Sequence, residues 1–147
     1  MNLAAQLGTA SLMVALTASI HLVGIAALLL LFRHHRRAVT ERRILVEFVA
    51  LLTAVMGLFA LHTAEIWLYA ALYTGVGALP DFEDALYFST STYTTVGYGD
   101  LVLPRSWRIV GAIESANGII LLGWSTAFFV GMVGRVKWLE HELETPR

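Results

Sequence analysis

Residues 94 to 100 read Thr-Thr-Val-Gly-Tyr-Gly-Asp, and each type in this run suits one piece of chemistry: replacing the water around a cation with backbone oxygens. Glycine reaches positive φ without steric conflict, so Gly97 and Gly99 let the chain turn its carbonyls in directions that a side chain would forbid. The hydroxyl of Thr95 adds an oxygen at one end of the run, and the carboxylate of Asp100 adds negative charge at the other. Copies of Thr95-Val96-Gly97-Tyr98-Gly99 around an axis would stack rings of inward carbonyl oxygens. A second set of reactive types sits within apolar sequence: His21, His62, Glu65 and Glu114. His62 and Glu65 are three apart and share a helical face. That makes half of a metal site, but no other His or Cys is well placed along the sequence to complete it, so structural pairing is the preferred reading, ahead of a pH-sensitive contact and of a metal. His21 has no evident partner and reads as a packing residue.

The elements that must position these residues belong to a membrane. Of 147 residues, 57% are hydrophobic and 14% charged, against about a quarter charged in a soluble domain. The net charge of −1 offers no basic field for nucleic acid. Three apolar runs, 7–32, 44–73 and 107–136, exceed what a hydrocarbon core of about 30 Å requires. Between the last two, residues 81–93 are too short and polar to cross, and Pro80-Asp81 marks a turn into a helix with Asp81 as N-cap. The fold class expected is therefore an all-α membrane protein: three transmembrane helices plus a re-entrant helix and loop. Non-helical backbone at membrane depth is tolerated where it is buried in protein or lines a watery cavity. One chain is too small to enclose a pore, so a pore implies several copies.

Charge sets the topology. Arg33, Arg36, Arg37, Arg42 and Arg43 follow the first run, while residues 1–6 contain no Lys or Arg. A signal peptide would begin with positive charge, so a retained anchor is expected. The positive-inside rule puts the Arg33–Arg43 loop in the cytoplasm, the N-terminus outside and the C-terminus inside. The loop also suits anionic lipid head groups. The expected organisation is an N-terminal helix and basic loop at 1–43, a pore unit at 44–136 and a short tail at 137–147, in the plasma (inner) membrane.

Residues 80–136 resemble the pore module of the potassium-channel superfamily, whose filter loops replace the hydration shell of K+ with carbonyl oxygens. The resemblance rests on Thr94–Asp100 and on a polar segment before it that is similar to a pore helix, Phe82–Tyr93. It also includes Trp107, which opens a third span where an inner helix begins. It covers the second span loosely and residues 1–43 not at all. It implies K+ as permeant ion, a homotetramer around a central pore, and Thr95, Val96, Gly97, Tyr98 and Gly99 as filter. Thr94 and Asp100 would flank the filter, with Tyr87 and Phe88 packing behind it. Family members often carry a filter-supporting glutamate where this chain has Ser91. Glu114 is expected to replace it by bonding Ser91, Thr92 or filter backbone, and Glu65 to partner the pore helix or Asp100. Gly118 and Gly123 fall where inner-helix glycines permit bending or close packing. Ser115, Ile119, Leu122 and Thr126 share a face that would line the cavity. The first span is expected to pack outside the outer helix.

No helix has an arginine at every third position, so no voltage sensor of the usual kind is expected, and residues 137–147 leave no room for a ligand-binding domain. With no cysteine, no Ser-His-acid spacing and no phosphate-cradling loop, an enzyme is not expected. The competing classes are a pore-loop subunit of a K+ uptake system and a non-conducting modulatory subunit. The first would carry four degenerate repeats where this chain has a single complete loop. The intact loop argues against the second.

Overall fold

The computed structural model describes residues 2–35 and 43–134. Among them are four helices, α1 (Leu3–His35), α2 (Arg43–Gly75), α3 (Phe82–Tyr93) and α4 (Arg108–Val133). Leu3–Phe32, Phe48–Gly75 and Arg108–Val133 are long and apolar enough to cross a membrane, close to the three runs read from sequence. The architecture is all-α. The segments from 36 to 42 and from 135 to 147, with most of the basic loop and the tail, lie outside the described residues.

Local chemistry sets the helix ends. The Asn2 side chain accepts from the Ala5 amide at 2.8 Å, capping α1. After α2, Gly77 takes φ 67°, and the Ala78 amide returns to the Tyr73 carbonyl at 2.8 Å, closing the exposed carbonyls in a left-handed cap. Asp81 caps α3 by accepting from the Asp84 amide at 2.9 Å, as expected. Glu83 and Asp84 put negative charge in its first turn, where the helix dipole favours it.

Packing is close where α1 meets α2. Gly24 receives the Leu61 side chain and Gly57 that of Leu28, so a Cβ at either glycine would run into a leucine. The two pairs cross in antiparallel register, and small residues let the backbones approach. The first span packs against α4 as well as α2, so it does not lie simply outside the outer helix. It runs parallel to α4, as the contacts from Gln6 to Ile109, Thr17 to Asn117 and His21 to Ser125 show. Hydroxyls that face away from the other helices are satisfied within their own: Ser19, Thr53, Thr63 and Thr126 each donate to the carbonyl four residues earlier, which an apolar solvent requires.

Candidate functional site

The loop after α3 leaves helical geometry at once. Thr95, Gly97 and Gly99 have φ of 62°, 51° and 80°. Two of the three are the glycines expected to need such angles. Thr95 is the surprise, because a β-branched residue at positive φ is strained by about 1–3 kcal/mol. Two backbone bonds hold it there: the Thr95 amide donates to the Thr92 carbonyl at 3.0 Å, and the Gly97 amide to the Ser91 carbonyl at 2.9 Å. The chain's own helices leave Thr95 to Gly99 exposed, with Tyr98 at 73%. Behind the loop runs a cleft of about 480 Å³ lined by Phe88, Thr92, Thr95, Gly97, Gly111 and Ser115, among others.

The loop is anchored at both ends. Tyr87 donates its hydroxyl to Asp100 at 2.7 Å, which holds the Asp100 carboxyl below its ordinary pKa and raises the Tyr87 phenol. Phe88 meets Tyr73 edge-on with centroids 5.4 Å apart while lining the cleft behind the loop, so of the paired aromatics Tyr87 is the one that bonds the far end of the loop. At the near end, Thr94 caps α3, its hydroxyl donating to the Thr90 carbonyl at 2.7 Å. Gly118 of α4 sits directly under the Tyr93 carbonyl oxygen, where a Cβ would collide with it. Gly118 is thus a close-packing glycine within a continuous α4, whereas Gly123 has open space beside it. Ser115, Ile119, Leu122 and Thr126 are half-buried or exposed, on a side of α4 that the chain's own helices do not cover.

Glu114 is fully buried and turned from that face, as its position beside Ser115 predicts, but its partners differ from those expected. It accepts from the Ser89 hydroxyl at 2.5 Å and the Tyr73 hydroxyl at 2.6 Å. Ser91 instead donates to the Phe88 carbonyl of its own helix at 3.0 Å. Ser89 and Ser91 are about 200° apart around α3, so when Ser89 faces α2 and α4 Ser91 is turned to another side of the helix. Glu114 therefore braces the middle of α3 and not the loop after it.

Glu65 does partner the pore helix, accepting from the Tyr93 hydroxyl. It does not reach Asp100, which lies at the opposite end of the loop with Tyr87. His21 is a buried, satisfied residue whose partners were not evident from sequence: its Nδ1 lies 2.9 Å from Glu65 Oε1 and its Nε2 3.3 Å from Ser125 Oγ. His62 Nδ1 lies 3.0 Å from the Tyr93 hydroxyl and its Nε2 2.8 Å from Ser125 Oγ. His21 is thus the third donor that the sequence did not supply. His21, His62 and Glu65 offer ligand atoms within 4.8 Å of one another, a set with the composition of a divalent-cation site.

These contacts are the lowest of three polar levels that cross the bundle. Above them, Asn117 donates to the Thr17 hydroxyl at 2.8 Å and reaches the Tyr69 hydroxyl at 3.5 Å. Above that lies the Tyr73–Glu114–Ser89 level. Thr17, Tyr69, Tyr73, Ser89, Asn117 and Ser125 were not singled out from sequence, although the spacing was there to read. On α2, residues 62, 65, 69 and 73 follow helical steps of three and four, and 114, 117 and 125 share one side of α4.

No curated protein and no solved structure matches the chain. A family described as ion channel matches residues 44–135, well over half the chain, spanning α2, the re-entrant helix, its loop and α4. Two apolar helices flanking an anchored loop and that match together place the chain in the ion-channel family, as a pore-domain protein with several membrane-crossing helices.

Proposed function

We propose that the chain is the subunit of a potassium-selective channel, passing K+ passively through a pore built by four identical copies. The observation that carries this reading is the loop 94–100. Its sequence suits carbonyl coordination, its φ angles are positive at 95, 97 and 99, and its own chain leaves it exposed for a shared axis. In such an assembly Thr95, Val96, Gly97, Tyr98 and Gly99 supply the coordinating oxygens and Asp100 draws cations to the mouth. Ser115, Ile119, Leu122 and Thr126 line an ion-hydrating cavity. The N-terminus lies outside and the C-terminus in the cytoplasm of the plasma membrane, with anionic lipid against the basic loop.

The test is purified protein in a planar bilayer under a K+/Na+ gradient, with native mass spectrometry of the same sample. The expected result is a reversal potential near the K+ equilibrium value from a homotetramer. A reversal near the Na+ value, or no current, overturns the proposal. A larger hetero-assembly that conducts only with a partner supports a modulatory subunit instead.

A further inference from the structure

The lowest polar level closes on itself. Glu65, Tyr93, His62, Ser125 and His21 form a ring of five contacts that draws one or more residues from each of the four helices, with His62 Nδ1 also lying 3.3 Å from Glu65 Oε2 across it. The protons of its five edges can be counted from donors and acceptors alone. Tyr93 donates to Glu65 Oε2, so its oxygen is free to accept from His62 Nδ1–H at 3.0 Å. His62 Nε2 is then bare and accepts from the Ser125 hydroxyl at 2.8 Å. The Ser125 oxygen accepts from His21 Nε2–H at 3.3 Å. The last pair, His21 Nδ1 and Glu65 Oε1 at 2.9 Å, shares one proton. A carboxylic acid, a phenol, an alcohol and two neutral imidazoles together carry five protons, one for each contact.

We propose that these five side chains form a net-neutral proton ring whose His21–Glu65 edge is a proton-binding site, tying α1 to Tyr93 and so to the residue from which the filter loop starts. A sixth proton sets two donors face to face. A fourth-only count leaves two acceptors face to face. Either opens the ring and leaves a buried charge at membrane depth, which is unfavourable. Among the described residues, the groups facing the ring are His21 from α1, His62, Glu65 and Tyr69 from α2, Tyr93 from α3, and Ser125 with the non-titrating Trp124 from α4. Glu114 is occupied two levels away by Ser89 and Tyr73. The same three side chains, His21, His62 and Glu65, have the composition of a divalent-cation site, and the Zn²⁺ arm of the test separates that occupant from the proton.

The test uses the full chain in lipid nanodiscs, with ¹⁵N-histidine spectra and melting temperature followed over about pH 5 to 8. His62 is expected to hold its proton on Nδ1, its signal identified by loss in His62→Gln. Glu65→Gln keeps all five contacts, since its carbonyl accepts from Tyr93 and its amide donates to His21. It should melt near the wild type at neutral pH yet flatten the pH dependence. Ser125→Ala removes the donor to His62 Nε2 and should lower the melting temperature and displace the pH response, so the ring is still judged if Glu65→Gln does not fold. A His62 proton on Nε2, or a Glu65→Gln pH profile like the wild type, overturns the proposal. So does stoichiometric Zn²⁺ binding that raises the melting temperature and is abolished by His21→Gln. None of these readouts requires ion conduction, so the ring can fail while the channel reading stands, and the reverse.

Discussion

Two glycines of α4 that look alike in sequence have different surroundings. At Gly118 a methyl group meets backbone, the Tyr93 carbonyl oxygen, which cannot rotate away, whereas at Gly123 it meets nothing within 4 Å. Gly118→Ala should therefore destabilise the chain by about 1–3 kcal/mol through overpacking and displace the start of the loop. Gly123→Ala should fold at least as well as the parent, since alanine favours the helix by about 0.5–1 kcal/mol. Paired thermal melts in detergent check this. Tyr87 gives a pH prediction. Its hydrogen bond lowers the Asp100 pKa, so the favourable contact is fully present above the ordinary carboxylate pKa and is lost as pH falls through the lowered value. In Tyr87→Phe the carboxylate should protonate at higher pH than in the wild type. Single-channel K+ current should then decline earlier on external acidification, a comparison made by titrating the outer solution in bilayers.

Helix pairs meet in this chain through small residues and through hydroxyl-to-carboxylate contacts, and each kind can be removed separately. Gly24→Leu would collide with Leu61 and should separate α1 from α2, lowering stability by about 1–3 kcal/mol. The accompanying change is faster protease cleavage between the first two helices, followed by mass spectrometry. Glu114 joins α2, α3 and α4 through Tyr73 and Ser89. Ser89 also donates to the Ile66 carbonyl at 3.0 Å, so removing the carboxylate orphans mainly Tyr73. Hydrogen bonds between membrane helices average about 0.6 kcal/mol and reach about 1.7. Glu114→Leu should fall near the upper figure, and Glu114→Gln, which can still accept from one hydroxyl, near or below the lower. Equal melting temperatures for the two variants would show that the carboxylate does not brace α3.

The polar levels make the first span part of the pore-domain bundle. Thr17 satisfies Asn117 and His21 satisfies Glu65 and Ser125, so a chain beginning at residue 43 would leave Asn117, Glu65 and Ser125 short of partners at membrane depth. Unsatisfied polar groups there are strongly disfavoured. The truncated chain should give less monodisperse protein by size exclusion and melt below the full chain, even though the family match itself begins at residue 44. Equal behaviour of the two would mean that α1 contributes no stability to α2–α4.

Composition was enough for the three spans and for a helix start at Asp81, because a membrane imposes length and apolarity locally and a cap needs residues only three apart; the Phe82–Tyr93 bounds of α3 came with the resemblance to a pore helix. The loop 94–100 was legible for the same reason: glycine at positive φ is a property of the residue. Partner choice was not. Whether Glu114 meets Ser89 or Ser91 depends on how α3 is rotated against α4, and two residues along a helix change its facing side by about 200°. His21 and Glu65 are 44 positions apart, and no local pattern reports which buried donors converge across four helices. The sequence by itself determined the elements and the positive φ of Gly97 and Gly99, though not that of Thr95. Tertiary packing alone decided which buried carboxylate braces which helix, and through Glu65 and Tyr93 it joined the first span to the start of the loop.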